Sequence, residues 1–347
     1  MKYYLIAELR EDHDNLLNTE NVYNGYVSKK SIDDFVSACC QIGYECEFLG
    51  GLENLYKFAK KHPNMNDYVF INFNYGIPSR FKRGQSPIFF EMLKANYSGS
   101  DPLTSLIVND KSFSKKIVKD KVNTPKSTLV FSEKDTERIR NVQWHFPIIV
   151  KPNSEGSSLG ISDNSLCNSV EKTINISKEL LRDFSPVIVE EYIEGFEVTV
   201  WIIGNENNYR LIQPLVVSID NKYYFEKKIF TATDKANHIR KYSLPSCVFS
   251  SQLIERIIRN SLLIFEELGI RDYGRIDFRI NNNEVYFIEA NALPFFSKSS
   301  EIGAITKLCN ISYNSICKMI FTYSRFSYDI NPILLSFDIF IKLIFSY

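Results

Sequence analysis

One lysine, with the small residues that follow it, is the part of this sequence best suited to chemistry. The apolar run IIV (148–150) leads to Lys151, and PNSEGSSLG (152–160) follows directly. Glycines let backbone N–H groups approach an anion closely, serine hydroxyls add donors, and the lysine supplies a point charge. The spacing predicts a phosphate-binding loop after a strand, with a surface turn as the alternative. It excludes a P-loop NTPase, because no GxxxxGK[ST] string occurs and the lysine precedes the glycines.

Two predicted strands carry a second set of chemical groups. The runs GRIDFR and VYFIEAN flank an asparagine-rich turn at 281–283, which indicates a hairpin. Residues two apart in a strand share a face, so Arg275 projects with Asp277, and Glu289 projects with Asn291. With a turn of three or five residues, antiparallel pairing places Asp277 opposite Glu289.

Two carboxylates in that position favour a bound cation. Like charges directly opposite each other destabilise a hairpin unless a positive charge lies between them. The oxygen atoms of Asp277, Glu289 and Asn291 are ligands of the kind that Mg²⁺ takes, together with water and nucleotide phosphates. The alternative is an exposed hairpin end with solvated acids.

Six motifs, taken in order, resemble those of ATP-grasp enzymes of the D-alanine:D-alanine ligase type. The motifs are YSGSD (97–101), Asp110 and Lys111 with Lys115, the Lys151 loop, VEEYIEGFEVTV (189–200), GRID (274–277) and EANALP (289–294). The resemblance covers roughly residues 68–326. It implies an α/β fold with α+β subdomains, in which an N-terminal open parallel sheet precedes two subdomains that sandwich ATP.

The resemblance also implies a nucleotide site. The residues implied to bind the nucleotide are Lys111, Lys151, Ser157, Ser158, Glu190, Glu191, Tyr192, Ile193, Glu197 and Lys228. Glu190 matches the acceptor for the adenine amine, with the backbone of the next three residues framing the base, and Glu197 matches the ligand of the ribose hydroxyls. Lysines contact the phosphates while the two serines close over them. Lys227 matches the position of this phosphate-binding lysine as well as Lys228 does.

Catalytic and metal roles follow from the same resemblance. Asp277, Glu289 and Asn291 match the ligands of Mg²⁺, as one ion or two, for which Mn²⁺ can substitute. Arg275 matches the residue that steadies a developing oxyanion, and the resemblance assigns Lys228 and Ser158 to the catalytic set.

The implied reaction is ATP-dependent amide formation. A carboxylate attacks the γ-phosphate to give an acyl phosphate, and an amine then displaces phosphate. Positioning and electrostatic stabilisation dominate such catalysis. A protein of this fold that binds ATP without catalysis is one alternative, and a phosphotransferase is another.

Departures from the family pattern lie at the amino-acid subsites. Phe295 replaces a glycine, Lys298, Ser299 and Glu301 change the floor of the second subsite, and Ile229 stands where many relatives carry a tyrosine. We therefore expect an amino acid or peptide substrate other than two free D-alanines. A true D-alanine:D-alanine ligase is the alternative.

The N-terminal part also departs from the family. In place of an HG motif with acidic residues stands a stretch (74–85) that contains Arg80, Lys82 and Arg83. A solvated loop is the favoured interpretation, and binding of a substrate carboxylate or phosphate is the alternative. Glu20 is a candidate anchor for a substrate ammonium by position.

Composition limits the class of protein. The 347 residues are 44% apolar, enough for a sizeable core, and 41 basic residues balance 41 acidic ones. Zero formal charge indicates no bulk attraction to nucleic acid or anionic lipid. Seven cysteines without CxxC spacing and four scattered histidines predict neither a disulfide scaffold nor a zinc site. The short, soon-charged first strand does not resemble a secretory signal, so we expect a cytoplasmic enzyme.

The chain is predicted to have four parts. They are an N-terminal α/β subdomain (1–96), a central nucleotide subdomain (97–184), a C-terminal catalytic subdomain (185–326) and an apolar extension (327–347). We expect a helix at 31–43, a strand at 45–49, a helix at 86–95 and a lid at 226–245. The extension is too interrupted for a stable membrane span. It would pack on the core, form a homodimer contact, or bind a membrane surface or partner.

Overall fold

The computed structural model of this chain describes residues 1–16, 26–227, 229 and 240–323. Glu20, Lys228 and the predicted extension (327–347) lie outside the described residues, as does most of the predicted lid. Within the described part, no helix combines the length and the apolar character needed to cross a membrane. All seven cysteines lie within the described residues and are free thiols.

A parallel sheet forms the N-terminal part. Its strands, in the spatial order β2, β1, β3, β4, are β1 (Lys2–Ile6), β2 (Cys46–Gly50), β3 (Tyr68–Asn72) and β4 (Asn96–Tyr97). The helices between them are α1 (Lys29–Gln41), α2 (Leu52–Lys61) and α3 (Lys82–Met92). The first of these begins at Ser28, whose side chain accepts a hydrogen bond from the Ser31 N–H and satisfies a terminal backbone donor. The predicted open parallel sheet is confirmed.

A small antiparallel sheet carries the predicted phosphate-binding loop, which follows Lys151. Its strands, in the order β5, β8, β6, β7, are β5 (Ser127–Val130), β6 (Ile148–Pro152), β7 (Leu166–Cys167) and β8 (Val187–Glu191), with α6 (Val170–Leu180) packed against them. The predicted subdomain boundary at 184/185 falls before β8, which pairs with both β5 and β6. Ser185 and Pro186 have the composition of a linker, but β8 completes the small sheet.

A larger antiparallel sheet forms the C-terminal part. Its strands are β9 (Gly195–Asn205), β10 (Asn208–Ser218), β11 (Tyr224–Phe225), β12 (Lys241–Ser243), β13 (Tyr273–Asn281) and β14 (Glu284–Asn291). The order is β12, β10, β9, β13, β14, and β11 also pairs with β9. Gly195 has a φ of +125°, and a Cβ there would lie 1.9 Å from the carbonyl oxygen of Ile280, so the start of β9 requires glycine.

Helices cover the larger sheet. They are α4 (Pro102–Asn109), α5 (Lys111–Val118), α7 (Ser251–Glu267), α8 (Glu301–Leu308) and α9 (Tyr313–Tyr323). Residues of α4, α5 and α7 share one hydrophobic cluster with this sheet, including Val108, Val118 and Ile264. The helices α4 and α5, predicted as the start of the central subdomain, thus pack on the C-terminal sheet.

A second cluster joins the N-terminal sheet to the larger sheet. Phe35 of α1, Trp201 of β9, Phe296 and Phe321 of α9 are all buried in it. The rings of Phe35 and Phe296 meet edge to face with centroids 5.7 Å apart. Burial of each such side chain contributes roughly 1.5–3 kcal/mol. This cluster fixes the N-terminal part against the sheet that carries the predicted metal ligands.

Candidate active site

A cleft of about 130 Å³ lies between the small sheet and the larger sheet. Strand β6 carries Lys151 to one wall, and β13 with β14 forms the opposite wall. The predicted site residues that line this cleft are Lys111, Lys151, Ser157, Ser158, Glu197, Arg275, Asp277 and Glu289. Residues far apart in the sequence therefore meet around one volume.

The hairpin places the two acids as predicted. Asp277 pairs with Glu289, and Arg275 pairs with Asn291. The predicted turn of three or five residues is wrong, because β13 and β14 are joined by two asparagines with φ of +49° and +64°. Asparagine tolerates this left-handed geometry, which two-residue hairpin turns require. A bulge after Asp277 adds one residue on the opposite strand and restores the pairing.

The neighbouring strand extends this row of polar groups. Thr199 on β9 lies opposite Asp277, and its hydroxyl donates a hydrogen bond of 2.7 Å to Asp277 Oδ1. Asn291 Nδ2 lies 3.5 Å from Asp277 Oδ2. Burial raises the pKa of Asp277, and the charge of Glu289 acts in the same direction while Arg275 opposes it. A carboxylate in this state gains from an added cation.

The chemistry of these donors fits a hard divalent ion. Asp277 and Glu289 supply carboxylate oxygens, and Asn291 supplies an amide oxygen beside them. No group of three or more His, Cys, Asp or Glu suited to a metal occurs among the described residues, so a protein ligand set here needs the amide. The metal roles of these three residues remain a prediction.

Arg275 is held by two carboxylates. Its Nε and Nη2 donate to the two oxygens of Asp277 at 2.9 and 2.8 Å, and its Nη1 donates to Glu301 Oε1 at 3.4 Å. Glu301 also accepts a hydrogen bond of 3.1 Å from the Tyr242 hydroxyl. Burial lowers the pKa of Arg275, but the charges of Asp277 and Glu301 outweigh this effect and raise that pKa overall. All three guanidinium nitrogens are therefore engaged.

Glu190 joins two lysines in the floor of the small sheet. Its oxygens lie 2.6 Å from Lys115 Nζ and 2.5 Å from Lys151 Nζ, and its exposed fraction is 2%. Burial acts to raise the pKa of Glu190, but both lysines outweigh it and lower that pKa. The pKa of Lys115 is lowered to about 8, mainly by burial. Glu190 is stabilised as a carboxylate by two lysines. Lys115 has only a share of that carboxylate, and the nearby charge of Lys151 adds to the effect of burial on its pKa.

Lys115 was not among the predicted site residues. It stands four residues after Lys111 on α5, so both lysines share a helical face, from which Lys111 reaches the Glu155 carbonyl and Lys115 reaches Glu190. That i, i+4 spacing was the signal available in the sequence. The adenine role of Glu190 remains a prediction.

The predicted phosphate-binding loop contacts residues outside the small sheet. Lys111 Nζ donates a hydrogen bond of 2.5 Å to the carbonyl oxygen of Glu155 and lies 3.4 Å from Glu289 Oε2. The carboxylate of Glu155 forms an ion pair with Lys82. Ser157 and Ser158 hold left-handed conformations, with φ of +55° and +59°. Such conformations cost roughly 1–2 kcal/mol per residue, and turns of this kind form anion-binding concavities.

The interpretation of residues 74–85 as a solvated loop is wrong for Lys82. That side chain is 5% exposed and reaches Glu155 in the phosphate loop. The chain folds back at Gly76, where φ is +80° and a Cβ would lie 2.0 Å from the carbonyl oxygen of Lys82. Burial lowers the pKa of Lys82, and Glu155 opposes this shift. The composition of residues 74–85 indicated a charged segment, but it could not indicate that Lys82 is buried against Glu155.

Two further arginines surround Glu197. Arg240 Nη2 lies 3.2 Å from Glu197 Oε1, and Arg279 Nη2 lies 3.4 Å from Glu197 Oε2. The Arg279 guanidinium lies over the Tyr192 ring, 5.4 Å from its centroid. Neither arginine was predicted to be in the site. The sequence could have indicated Arg279, because it follows Asp277 by two residues on β13 and residues two apart in a strand share a face.

Of the remaining predicted residues, Glu191 ends β8, an inner strand of the small sheet, and Tyr192 and Ile193 follow it. Glu191 Oε1 accepts a hydrogen bond of 3.0 Å from the backbone N–H of His145. The backbone N–H of Glu191 donates to Lys126, and that of Tyr192 donates to Pro147. Ile193 follows before β9 and is partly buried. Lys227 is exposed, while Lys228 lies outside the described residues.

Comparison with known proteins gives a family match. The family model described as D-ala D-ala ligase C-terminus matches residues 122–322. The D-alanine-D-alanine ligase of Aquifex aeolicus is 32% identical over 237 residues, which cover 67% of this chain and 75% of that protein. The D-alanine-D-alanine ligase of Thermotoga petrophila is 27% identical over 295 residues, covering 85% and 91%.

Solved structures share the fold. The D-alanine-D-alanine ligase of Bacillus anthracis complexed with ATP has a TM-score of 0.68 and 20% identity, and the match covers 93% of this chain and 96% of that chain. The VanG D-Ala:D-Ser ligase of Enterococcus faecalis has a TM-score of 0.66 and 18% identity, with coverage of 93% and 99%. These likenesses confirm the predicted α/β ATP-grasp fold.

Proposed function

The chain belongs to the D-alanine:D-alanine ligase family of ATP-dependent C–N ligases, and we propose that it joins a carboxylate to the amine of an amino acid or peptide. The reaction passes through an acyl phosphate, and the substrate pair differs from two free D-alanines. The observation that carries this proposal is the convergence of Lys111 and Lys151 with Asp277 and Glu289 on one cleft.

Each side chain has a role in this proposal. Lys111 and Lys151 hold the phosphates of ATP, and the loop of Ser157 and Ser158 closes over them. Mg²⁺, as one ion or two, fits the ligand set of the β13–β14 hairpin and supplies charge neutralisation at the phosphoryl oxygens. Arg275, which is fixed by two carboxylates, stabilises negative charge on the reacting carbonyl group.

The substrate carboxylate attacks the γ-phosphorus, and the bond from that phosphorus to the bridging oxygen of ATP breaks, which releases ADP. The neutral amine then attacks the acyl carbon, and the C–O bond to phosphate breaks. The amine loses one proton, and inorganic phosphate leaves with the electron pair. Because the cleft orders these groups, positioning supplies much of the rate.

D-alanine:D-alanine ligase activity is the second candidate, since the relatives carry that name. Changes at the amino-acid subsites argue against it. Glu301 brings a buried negative charge to Arg275, and Ile229 is an apolar, buried residue. A neighbour titled D-Ala:D-Ser ligase supports the view that this fold accepts more than one substrate pair.

The test is ATP turnover by the purified protein with Mg²⁺ and mixtures of amino acids and short peptides. ADP, phosphate and the mass of a new amide are measured together. Equal amounts of all three establish a ligase and identify its substrates. Efficient synthesis of D-alanyl-D-alanine would contradict the substrate assignment alone. Tight ATP binding without turnover in every mixture would favour the non-catalytic alternative.

A further inference from the structure

The predicted phosphate-binding loop (152–160) is held at both of its ends. At its start, Asn153 is fully buried, and its carbonyl oxygen accepts a hydrogen bond of 3.2 Å from the backbone N–H of Lys111. At its end, a Cβ on Gly160 would lie 2.9 Å from the ring of Phe184, so the returning chain packs closely there. Whether the loop stays over the cleft therefore depends on the residues between these ends.

Glu155 lies between these ends and contacts two lysines of other elements. Its carbonyl oxygen accepts a hydrogen bond of 2.5 Å from Lys111 Nζ, and its carboxylate forms an ion pair with Lys82 of α3. A bound nucleotide affects these two contacts differently. Lys111 lines the cleft and holds phosphate in the proposed function, whereas Lys82 does not line the cleft. When phosphate recruits Lys111, the ion pair with Lys82 still holds the loop.

The lysine of this ion pair stands on a closely packed part of the molecule. Lys82 begins α3, and a Cβ on Gly76 would lie 2.0 Å from its carbonyl oxygen, so the preceding loop is in direct contact with the start of the helix. The same helix packs closely on α4, because a Cβ on Gly84 would lie 2.9 Å from the side chain of Leu106. The ion pair therefore anchors the predicted phosphate-binding loop to the N-terminal part.

Loss of the lysine would change where the loop lies. The side chain of Lys82 is 6% exposed and that of Glu155 is 19% exposed, so the pair is largely removed from water. A buried charge without its partner is costly, and the Glu155 carboxylate would turn towards solvent. That movement takes Ser157 and Ser158 away from the cleft that they line. Water then reaches the reacting groups, and a closed site is what protects a reactive intermediate from hydrolysis.

We propose that Lys82 is a positioning residue that, through Glu155, keeps the predicted phosphate-binding loop closed over the cleft and protects the acyl phosphate from water. This inference rests on the proposed ligase function. Without the ion pair, the oxygen of water attacks the acyl carbon in place of the amine, and the C–O bond to phosphate breaks. Phosphate leaves with the electron pair and takes one proton of the water, while the other proton goes to solvent. The carboxylate substrate is regenerated, so ATP is consumed without an amide.

The test measures how much ADP forms without an amide. Full-length wild type, Lys82→Met and the charge-swapped pair Lys82→Glu with Glu155→Lys are assayed with the substrates that the turnover screen identifies, at saturating ATP so that affinity for ATP does not enter. Uncoupled ADP should rise roughly tenfold in Lys82→Met, the lower end of what one charge-assisted hydrogen bond does to an equilibrium. The charge swap should restore most of the coupling. Lys57→Met breaks an exposed pair with Glu53 in the same part and should match wild type.

Two results of this assay would overturn the role of Lys82 and leave the ligase function standing. One is an equal amount of uncoupled ADP in wild type and in Lys82→Met, with amide formation retained. The other is uncoupling that the charge swap leaves unchanged, because the ion pair would then not be its cause. If Lys82→Met does not fold, Glu155→Gln removes the same pair from its more exposed side, and the same comparison applies.

Hydrogen exchange follows the loop itself and does not depend on turnover. The backbone N–H groups of Leu159 and Ile161 donate to the carbonyl oxygens of Gly156 and Ser158, so they report opening of the loop. With Mg²⁺ and a non-hydrolysable ATP analogue, they should exchange roughly tenfold faster in Lys82→Met than in wild type, whereas β6 should exchange equally in both. Equal exchange of the loop would overturn the proposal. Absence of both amide and ADP in wild type would overturn the ligase function instead, and exchange would then decide the positioning role alone.

Discussion

The predicted nucleotide side of the cleft and the predicted acceptor side are built in different ways. On the nucleotide side, Lys151, Glu190 and Asp277 stand on strands, and each has a charged partner at hydrogen-bond distance. On the acceptor side, Lys298 and Ser299 lie in a loop and Glu301 begins α8. We therefore expect the chemistry of ATP to depend on sheet register, and substrate choice to depend on loops and helix termini.

This difference explains how specificity can change within one fold. A shift of one residue in the register of a strand moves all of its side chains to the opposite face of the sheet. A loop residue can be replaced while the sheets stay intact. We therefore expect substitutions on the nucleotide side to abolish the reaction, and substitutions on the acceptor side to change which substrate is used.

The largest effect is expected on the nucleotide side for Asp277→Asn. The change keeps the shape but removes the charge that faces Glu289 and Arg275. Turnover should fall on the order of a thousandfold, because charge stabilisation dominates such reactions. Steady-state ADP release checks this, with Glu284→Gln on the exposed end of the same hairpin as the control. Full activity of Asp277→Asn would contradict the metal assignment.

The next effect concerns Lys82, which joins the N-terminal part to the nucleotide side. Lys82→Met removes the partner of Glu155 in the phosphate loop and should weaken ATP binding roughly tenfold, a loss typical of a broken buried pair. Calorimetry with a non-hydrolysable ATP analogue measures this. Glu155→Gln alone and in combination completes a double-mutant cycle. Additive effects in the cycle would show that the ion pair does not position the loop.

A smaller change is expected for Glu301→Gln. The amide keeps an acceptor for Arg275 Nη1 but removes one of the two negative charges that hold this guanidinium. The variant should therefore lower the rate of amide formation by a few-fold, as expected when one charge-assisted hydrogen bond becomes a neutral one. The measurement is amide formation by Glu301→Gln and by wild type at saturating ATP. An unchanged rate would mean that the charge of Glu301 does not position Arg275.

The sequence revealed much of the nucleotide side because its geometry is regular. The two-residue spacing of Arg275 and Asp277 predicted that both side chains lie on one face of β13, which forms one wall of the cleft. The four-residue spacing of Lys111 and Lys115 likewise could have predicted that both lie on one face of α5. The turn length of the hairpin could not be predicted, since a bulge compensates for the two-residue turn. Nor could the burial of Lys82, which depends on a contact with a loop 73 residues away.

The smallest effect is a pH dependence of stability that arises at Lys115. Its pKa is lowered to about 8 in the folded protein, so the unfolded chain binds more protons from about pH 8 to about 10.4. The free energy of unfolding of wild type should rise with pH in that window relative to Lys115→Met, by at most about 1.4 kcal/mol per pH unit. Urea unfolding at pH 7.5, 8.5 and 9.5, values on either side of about pH 8, checks the sign. A difference that stays constant or falls would contradict the buried, under-compensated lysine.

The most direct test of the central claim follows the oxygen atoms of the reaction. Purified protein is incubated with ATP, Mg²⁺ and substrates whose carboxyl groups carry ¹⁸O, and the released phosphate is analysed by mass spectrometry. An acyl phosphate intermediate predicts that one labelled oxygen per new amide appears in inorganic phosphate. Amide formation with unlabelled phosphate would contradict the mechanism derived from this cleft.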